Sequence, residues 1–511
     1  MTAKTSTFLN TLRVSFWTLL SRIAGLVRDI ATTSLLGATF LHDVFVIALK
    51  IPNVFRRLFA EGAFSQAFIP IYSQLISQDD PQETKLFINH IFGLMLSVLF
   101  VVVGIGLFLS PAIAYIFAPG FYLNPEKKDL TIQLIQIMLP YLGLISLVAF
   151  AAGIQNTHQK FSLPAATPLI FNICLIIAAV FIAPKYGLGV FALAWGVIVA
   201  GVIQVLIQIA PLKAIDRLPI PKLNFKHPKI KEFFILIGPA ILAGGIAQLN
   251  LLIDTIFASL LVTGSPTWLY VSDRLLQFPL GVFAIALGTV LLPTLAKLFN
   301  ADSLAEYKAE IDRAIILTLL IAFPSACGLV LFGEPIIQAL FLRGAFTLFD
   351  MQMSYLSLVA FMCGLPFFMG LKVLVPAFFS RKDTKTPMQV AAFALFLNII
   401  LNYLLAFYFA MGHIGLALAS SISACTTFAI LFFKLRRLNL VTFSSLFNIA
   451  LLKIIFSCIL LSIFLYLSNH YLILHLQSWP LIYVVLVVVA FSAAIYFYSA
   501  KLLGLDIRSF R

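Results

Sequence analysis

The chain has 511 residues, of which 61% are hydrophobic and only 11% are charged, and its mean hydropathy is +1.05. These values exclude an ordinary soluble protein, in which about half of the residues are apolar and about a quarter are charged. The net charge of +14 favours a membrane protein with basic cytoplasmic loops over a nucleic-acid partner.

Apolar segments follow one another along the whole chain, and each is long enough for a helix of about 20 residues to cross a bilayer. Strand-like alternation is absent, so we predict an all-α polytopic membrane protein with about fourteen transmembrane helices. The predicted spans are 11–37, 43–77, 86–117, 129–155, 163–184, 188–213, 229–260, 268–298, 305–332, 349–379, 387–410, 414–437, 444–469 and 478–504.

Eight charged residues lie between positions 22 and 61, within the first two predicted spans: Arg22, Arg28, Asp29, Asp43, Lys50, Arg56, Arg57 and Glu61. Charges inside a membrane usually face a bundle interior or a water-filled cavity. At about 100° per residue, Arg22 and Asp29 share one helix face, and Lys50, Arg57 and Glu61 share another. Pro52 interrupts the second span, and broken helices at membrane depth line cavities.

Bases outnumber acids in these two spans, and arginine binds phosphate oxygens with a planar pair of donors. We therefore predict a basic cavity for an anionic ligand, in which the acids orient the arginines or close a gate. The structural alternative is that these charges form ion pairs that fix helix packing, or extend from span ends towards water.

The loops indicate the orientation of the chain. The connection after the sixth span, KAIDRLPIPKLNFKHPKIKE, has six Lys or Arg residues against two acids, whereas VTGSP and MGHIG carry no base. Both termini are therefore predicted to be cytoplasmic. The predicted domains are an N-terminal lobe (1–213), a basic interfacial linker (214–228), a C-terminal lobe (229–440) and two additional helices with the C-terminal tail (441–511).

An internal repeat is indicated by three positions that recur after 226 residues: Pro140 with Pro366, Asn172 with Asn398, and Gly189 with Gly415. Repeats that are offset by six spans keep the same orientation in the membrane. The repeat predicts two parallel six-helix lobes around a central cavity, which is a transporter architecture.

In the second lobe, candidate cavity charges are Asp273 and Arg274 in the eighth span and Lys372 in the tenth, and the seventh span holds Asp254. Asn398 and Asn402 share one face of the eleventh span. Carboxylate and amide oxygens suit a sodium ion, so Asp254, Asn398 and Asn402 are a candidate coupling-ion site. The alternative for the asparagines is an interhelical hydrogen bond.

Five stretches carry a resemblance to a known family: SRIAGLVRDIATTSLLGA, DVFVIALKIPNVFRRLFAEGAFSQAFIPIY, SDRLLQFPLGVFAIALGTVLLPTLAK, LFLRGAFT and FFSRKDTKTP. Together they resemble the MurJ (MviN) family of lipid II flippases, in the MOP exporter superfamily. The resemblance covers residues 10–505. It implies a fold of fourteen helices in two lobes, and the movement of an undecaprenyl-diphosphate-linked peptidoglycan precursor across the bacterial inner membrane by alternating access.

The resemblance also implies roles for individual residues. Residues of the diphosphate-binding cavity are Arg22, Arg28, Arg56, Arg57, Arg274, Lys50, Lys372, Ser21 and Asn53. The gating or arginine-orienting acids are Asp29, Asp43, Glu61 and Asp273. Many relatives have an acid shortly after the DR pair of the eighth span, but this chain has Gln277, which puts any gate pairing through that acid in doubt. The last two helices are expected to form a groove for the polyprenyl tail.

Alternatives of other classes stay open. They are a flippase for another polyprenyl-diphosphate-linked glycan, a MATE-like ion-coupled exporter, and a scaffold for cell-wall enzymes. A P-loop, a GxSxG motif and metal-ligand spacing are all absent from the sequence, so we expect no enzyme and no cofactor. Coupling to Na⁺, to H⁺ or to the membrane potential is expected. The expected partners are lipid II, membrane lipids and cell-wall synthesis proteins, without nucleic acid.

Overall fold

The structure, a computed structural model, describes residues 3–55, 64–224, 228–281, 285–442, 444, 446, 449–472 and 479–505. These residues form helices and their connections, and no strand occurs among them. In chain order the helices are α1 (Ala3–Leu36), α2 (Phe40–Phe55), α3 (Phe64–Ser77), α4 (Pro81–Phe108), α5 (Ser110–Phe117), α6 (Pro125–Met138), α7 (Tyr141–Thr157), α8 (Ser162–Ile177), α9 (Ala183–Tyr186), α10 (Val190–Ala214), α11 (Pro228–Ser259), α12 (Ser265–Pro279), α13 (Ile285–Asn300), α14 (Leu304–Phe341), α15 (Leu348–Met362), α16 (Leu365–Phe379), α17 (Lys385–Tyr403), α18 (Gly412–Arg437), α19 (Ile449–Leu467) and α20 (Leu481–Leu502).

Each predicted span coincides with one helix or with consecutive helices. Within the described residues, nine helical segments are long and apolar enough to cross a membrane, and a tenth is added if α15 and α16 count as one bent span. The prediction of an all-α membrane protein is therefore confirmed, whereas the number fourteen stays a prediction.

Prolines account for the two breaks that recur in the spans. Pro140 lies between α6 and α7, and Pro366 lies in the first turn of α16. Proline has no backbone N–H, so it removes one hydrogen bond of the helix and its ring displaces the preceding turn. The axes of α15 and α16 differ by 42°. The breaks fall at the two proline positions that the repeat predicts to be equivalent.

A second structural feature recurs with the same shift. A π-helical turn covers Ala178–Ile182 at the end of α8, and another covers Leu404–Tyr408 at the end of α17. The two turns are 226 residues apart, which is the shift that relates Asn172 to Asn398. Such turns are rare in proteins, so their recurrence supports the internal repeat.

The chain divides into two compact units, residues 1–266 and 267–511. In the first unit, α1 packs on α8, α2 on α6, and α10 on α7 and α8. Phenylalanines of α3, α4 and α7 form a buried cluster of rings with centroids 5.2–5.9 Å apart, namely Phe64, Phe68, Phe87 and Phe150. Helix α11 packs on α3 and lies in this unit, although we predicted it as the first helix of the C-terminal lobe. The predicted lobe boundaries stay a prediction.

In the second unit, α14 contacts α15, α16 and α19, and α18 packs on α15, α16 and α17. The last two helices, α19 and α20, pack against α14 and each other through a shared apolar cluster. The hydroxyl of Tyr496 on α20 donates a hydrogen bond of 2.7 Å to the carbonyl of Leu320 on α14. This bond satisfies a buried polar group on an otherwise apolar interface. The expected lipid-tail groove of these helices stays a prediction.

The segment that follows α10, residues 215–224, lies against α4, and we call it the docked linker. The side-chain oxygen of Asn89 accepts a hydrogen bond of 2.8 Å from the N–H of Ile220, and its carbonyl accepts one of 3.2 Å from the N–H of Lys222. Gly93, one turn further along α4, faces the backbone of Lys222 so closely that a Cβ atom would lie 2.3 Å from its carbonyl oxygen. Glycine is therefore required at this contact.

Polar contacts hold the first residues of the docked linker. The Nζ atom of Lys85 lies 2.9 Å from Asp216, and this hydrogen bond, together with the lysine charge, lowers the pKa of Asp216 below its usual value.

Beyond the end of α7, His158 lies 2.8 Å from the hydroxyl of Tyr72. Burial, and then the nearby charge of Arg217, lower the pKa of His158.

Candidate functional site

Arg28 on α1 lies in a network of hydrogen bonds within the first unit. Its Nε and Nη2 atoms both donate to one oxygen of Asp29, at 2.9 and 2.6 Å, and Nη1 donates to the side-chain oxygen of Asn172 on α8 at 3.0 Å. The amide of Asn172 in turn donates to the carbonyl of Ser21 at 3.0 Å. The guanidinium also lies over the ring of Phe171, 5.7 Å from its centroid. These contacts join α1 to α8 around one cation.

The ion pair between Arg28 and Asp29 is largely buried, so its loss would be costly. The side chain of Arg28 is 15% exposed and that of Asp29 is 1% exposed. A buried charge that loses its partner is strongly unfavourable, so Asp29 and Asn172 hold the guanidinium in place. The remaining exposure of Arg28 allows an anionic ligand to reach it. A phosphate offers the same planar pair of oxygens as a carboxylate and could replace Asp29 as the partner.

The sequence analysis placed Arg22 and Asp29 on one face of this helix. The structure pairs Asp29 with the adjacent Arg28. Arg22 is half-buried and makes no ion pair within the part of the chain that the structure describes.

Charged and polar residues of α2 contact α11 and the loop after it. Asp43 is fully buried and accepts a hydrogen bond of 2.7 Å from the backbone N–H of Gly264, which has a φ of +97°. Lys50 donates to the hydroxyl of Thr255 at 3.3 Å, and Asn53 donates to a carbonyl of its own helix at 3.0 Å. Asp43 thus fixes the turn between α11 and α12, and its predicted gating role stays a prediction.

Three residues of the predicted cavity, Arg56, Arg57 and Glu61, lie outside the described residues. Their predicted roles therefore stay predictions.

In the second unit, the DR pair lies on α12. Asp273 and Arg274 are both half-buried, and Gln277, one turn later, donates a hydrogen bond of 3.3 Å to a carboxylate oxygen of Asp273. The amide of Gln277 therefore donates to the carboxylate of Asp273, whereas a carboxylate at position 277 would repel it. Lys372 is exposed on α16. None of these observations tests the predicted roles in substrate binding.

The residues of the candidate coupling-ion site fall in both units. Asn398 and Asn402 are buried on α17, and the amide of Asn402 donates to the side-chain oxygen of Asn398 at 3.0 Å. Asp254 is half-buried on α11 in the first unit. Within the described ranges, no group of three or more His, Cys, Asp or Glu side chains is placed to hold a metal ion. The ion site stays a prediction.

The sequence analysis did not include two residues in the site. Asn172, which we used only as a marker of the repeat, bridges Arg28 and Ser21. Thr255 is the partner of Lys50. The recurrence of Asn172 as Asn398 was a usable signal, because a polar side chain kept at one register in an apolar helix needs a hydrogen-bond partner. Nothing in the sequence distinguishes Thr255 from other threonines in apolar helices.

Comparison with known proteins places this arrangement in a family. A sequence model described as "Lipid II flippase MurJ" matches residues 32–488. The chain is 38% identical over 431 residues to the lipid II flippase MurJ of Burkholderia cenocepacia, covering 83% of each protein. It is also 38% identical over 457 residues to a probable lipid II flippase MurJ of Buchnera aphidicola, covering 89% of each.

Solved structures give the same result for the fold. A lipid II flippase MurJ in an inward closed conformation superposes with a TM-score of 0.78 at 27% identity, covering 96% of this chain and 98% of the other. An inward-facing MATE-family multidrug transporter of the MOP superfamily superposes with a TM-score of 0.69 at 12% identity, over 84% of this chain and 98% of that one. The second match concerns the fold alone.

Proposed function

This chain belongs to the MurJ family of lipid II flippases, and on that premise we propose that it moves lipid II across the membrane for peptidoglycan synthesis. The observation that carries the proposal beyond the family assignment is the Arg28 network. A partly exposed guanidinium in an apolar helix, held by one carboxylate and one amide, is suited to bind a diphosphate. No covalent step is required, and the family is one of transporters.

We propose the following cycle. The diphosphate of lipid II displaces the carboxylate of Asp29 from the guanidinium of Arg28, and Asn172 keeps the guanidinium oriented. The site then changes its access from the cytoplasmic to the periplasmic face, and Asp29 pairs with Arg28 again once the substrate has left. An exchange of one anionic partner for another keeps the buried guanidinium paired throughout. The released carboxylate of Asp29, which is 1% exposed, must take up a proton or another donor, because a buried unpaired charge is costly.

The proposed membrane is the bacterial inner membrane, with both termini in the cytoplasm. The support is the distribution of charge. Three bases, Lys434, Arg436 and Arg437, lie in the last turn of α18, and the docked linker carries Arg217 and Lys222. Basic residues are retained on the cytoplasmic side of inner-membrane proteins. Membrane lipids and cell-wall synthesis proteins are proposed as further partners.

The energy source is proposed to be a Na⁺ or H⁺ gradient or the membrane potential. The supporting observation for an ion is the buried pair of Asn398 and Asn402, which places two amide oxygens on one helix face. Transport in proteoliposomes should fall when a protonophore or a sodium ionophore collapses the relevant gradient. An unchanged rate with both ionophores and without a membrane potential would refute the coupling.

Complementation tests the function. A bacterial host depleted of its own lipid II flippase is supplied with this chain, and lipid II on the outer face of the inner membrane is measured. We expect rescue by the unchanged chain and loss of rescue by Arg28→Ala, Arg57→Ala and Arg274→Ala at equal expression. Arg313→Ala is the matched control, because the side chain of Arg313 is 56% exposed and its ion pair with Glu310 on the same helix is long, at 3.8 Å.

Two outcomes would contradict parts of the proposal. A chain that is inserted and stable but does not move lipid II would point to another polyprenyl-diphosphate-linked glycan. Arginine variants that rescue as well as the unchanged chain would show that these charges only hold helices together. Rescue by all the arginine variants would also be expected of a scaffold that does not transport.

A further inference from the structure

A pocket of about 380 Å³ opens on the surface of the first unit between α6, α10 and the break at Pro140. Its polar lining is formed by Gln133 and Gln136, one helical turn apart and both exposed, and its apolar lining includes Phe191 and Trp195. Pockets of roughly 300–1,000 Å³ with a few polar groups are typical of small-molecule sites. None of its lining residues belongs to the Arg28 network.

An exposed glutamine on a membrane-spanning helix must find its hydrogen-bond partner at the border of the hydrocarbon, because the hydrocarbon itself offers none. The amide of Gln136 donates to the hydroxyl of Ser110 at 3.0 Å. Gln133 makes no side-chain hydrogen bond to any described residue. The carbonyl of Gln136 also lacks the donor that a continuous helix would provide four residues later, since that residue is Pro140. The pocket therefore holds polar groups that the described protein leaves for another molecule.

The depth of these groups indicates what that molecule is. We place the charged residues Lys127 and Asp129 at the start of α6 at the level of lipid headgroups, because charged side chains are costly in hydrocarbon. Gln133 lies four to six residues beyond them, which is about 6–9 Å along a helix. The interfacial layer on each side of a bilayer is roughly 5–8 Å thick. Gln133 thus lies where the headgroup layer ends, at the level of the ester groups that join acyl chains to glycerol.

We propose that this pocket is a binding site for one glycerophospholipid. The amide of Gln133 donates to an ester carbonyl of the lipid, and the attached acyl chain lies over Pro140 and Phe191. Trp195 is 56% exposed at the pocket, and the large ring of tryptophan suits the border between apolar and polar layers. The site takes a structural lipid of the bilayer and is separate from the diphosphate site of the proposed function.

Photolabelling tests the site on the full chain in nanodiscs of phosphatidylethanolamine and phosphatidylglycerol. A tracer diester phospholipid carries a diazirine in its acyl chain, and labelled peptides are identified by mass spectrometry. We expect several-fold more label in 133–140 and 191–198 than in 96–104, a stretch of α4 that includes Phe100, which is 83% exposed. Equal labelling of the three stretches would show only the general lipid shell and would overturn the proposal.

Competition by unlabelled lipids identifies the recognised group. A diether phospholipid has the same headgroup and chains but no ester carbonyl. The bulk lipid is the competitor of the tracer, and it is the diester in one set of nanodiscs and the diether in another. One hydrogen bond corresponds to about a fivefold change in affinity, so the diester bulk should compete about fivefold better than the diether bulk. Equal competition on the unchanged chain would overturn the role of the ester, whatever the behaviour of any variant.

Two variants complete the test. Gln133→Leu should bring labelling of the pocket to the level of 96–104 and abolish the preference for the diester. Phe100→Leu, the matched lipid-facing control, should change neither. A crosslink between two copies of the chain at 133–140, instead of a lipid adduct, would show that a second protein occupies the pocket and would also overturn the proposal.

Discussion

Gly93→Ala is the sharpest test of how the docked linker is held. A Cβ atom at this position would lie 2.3 Å from the carbonyl oxygen of Lys222 and 2.8 Å from its N and carbonyl C atoms. Cβ atoms do not approach backbone atoms this closely, and the obstacle is a main chain, which cannot rotate away like a side chain. The linker must therefore move off α4.

The movement would break the two hydrogen bonds between Asn89 and the linker, at Ile220 and Lys222. Each such bond stabilises the docked state by about 1 kcal/mol. A loss of about 2 kcal/mol raises the population of the undocked linker about thirtyfold. The rate of cleavage by trypsin follows that population when opening is fast compared with cleavage.

The assay is limited trypsin digestion of the full chain in detergent, with cleavage after Arg217 and Lys222 followed by mass spectrometry. We expect cleavage about thirtyfold faster in Gly93→Ala. Gly104→Ala is the matched control, because Gly104 lies on the same helix and a Cβ there would have no atom within 4 Å. Equal cleavage rates in Gly93→Ala, Gly104→Ala and the unchanged chain would refute the account of the docked linker.

Three further predictions concern charged groups. Asp29→Asn removes the carboxylate from a buried guanidinium and should lower the free energy of unfolding in detergent by roughly 3 kcal/mol; unchanged stability in denaturant titration would contradict the holding role of Asp29. Gln277→Glu places a second carboxylate beside Asp273 and should destabilise the chain by about 0.5 kcal/mol at pH 7; high salt should reduce this effect by screening the repulsion, whereas the effect of Gln277→Met should not depend on salt. Burial and the charge of Arg217 lower the pKa of His158 below its usual value of 6.5, so the unfolded chain binds a proton more readily and stability should decrease as the pH falls through 6.5. Denaturation at pH 7.5 and 5.5 measures that slope, which His158→Gln should reduce; an equal slope in the variant would exclude His158 as its source.

The sequence predicted the helices well because hydropathy and proline are local signals. Helices lie at every predicted span. The breaks fall at Pro140 and Pro366, which we had used only as markers of the repeat. The sequence did not predict which residues the charged side chains contact. Arg28 and Asn172 are 144 residues apart, and Lys50 and Thr255 are 205 apart. Periodicity reports which residues share a face of one helix, but it carries no information on which distant helix packs there.

The docked linker is a second case in which the sequence did not predict the contacts between distant segments. Its lysines and prolines indicated an interfacial segment on the cytoplasmic leaflet, and that remains consistent with its exposed side chains. Its backbone, however, is held by Asn89 and accommodated by Gly93. Glycine and asparagine occur in apolar helices for several structural reasons. Only the three-dimensional contact shows that Gly93 and Asn89 hold the docked linker.

The paired π-helical turns have a consequence for the history of the chain. A π turn holds one residue more than an α turn, so each marks the place of a single inserted residue. The turns at Ala178–Ile182 and Leu404–Tyr408 stand at the same register of the two halves. One insertion in a half-sized ancestor, copied when that ancestor was duplicated, accounts for both, whereas a third π turn, Ser468–Leu472, lies outside the repeat and needs a separate origin. On this account the wide turn is older than the duplication.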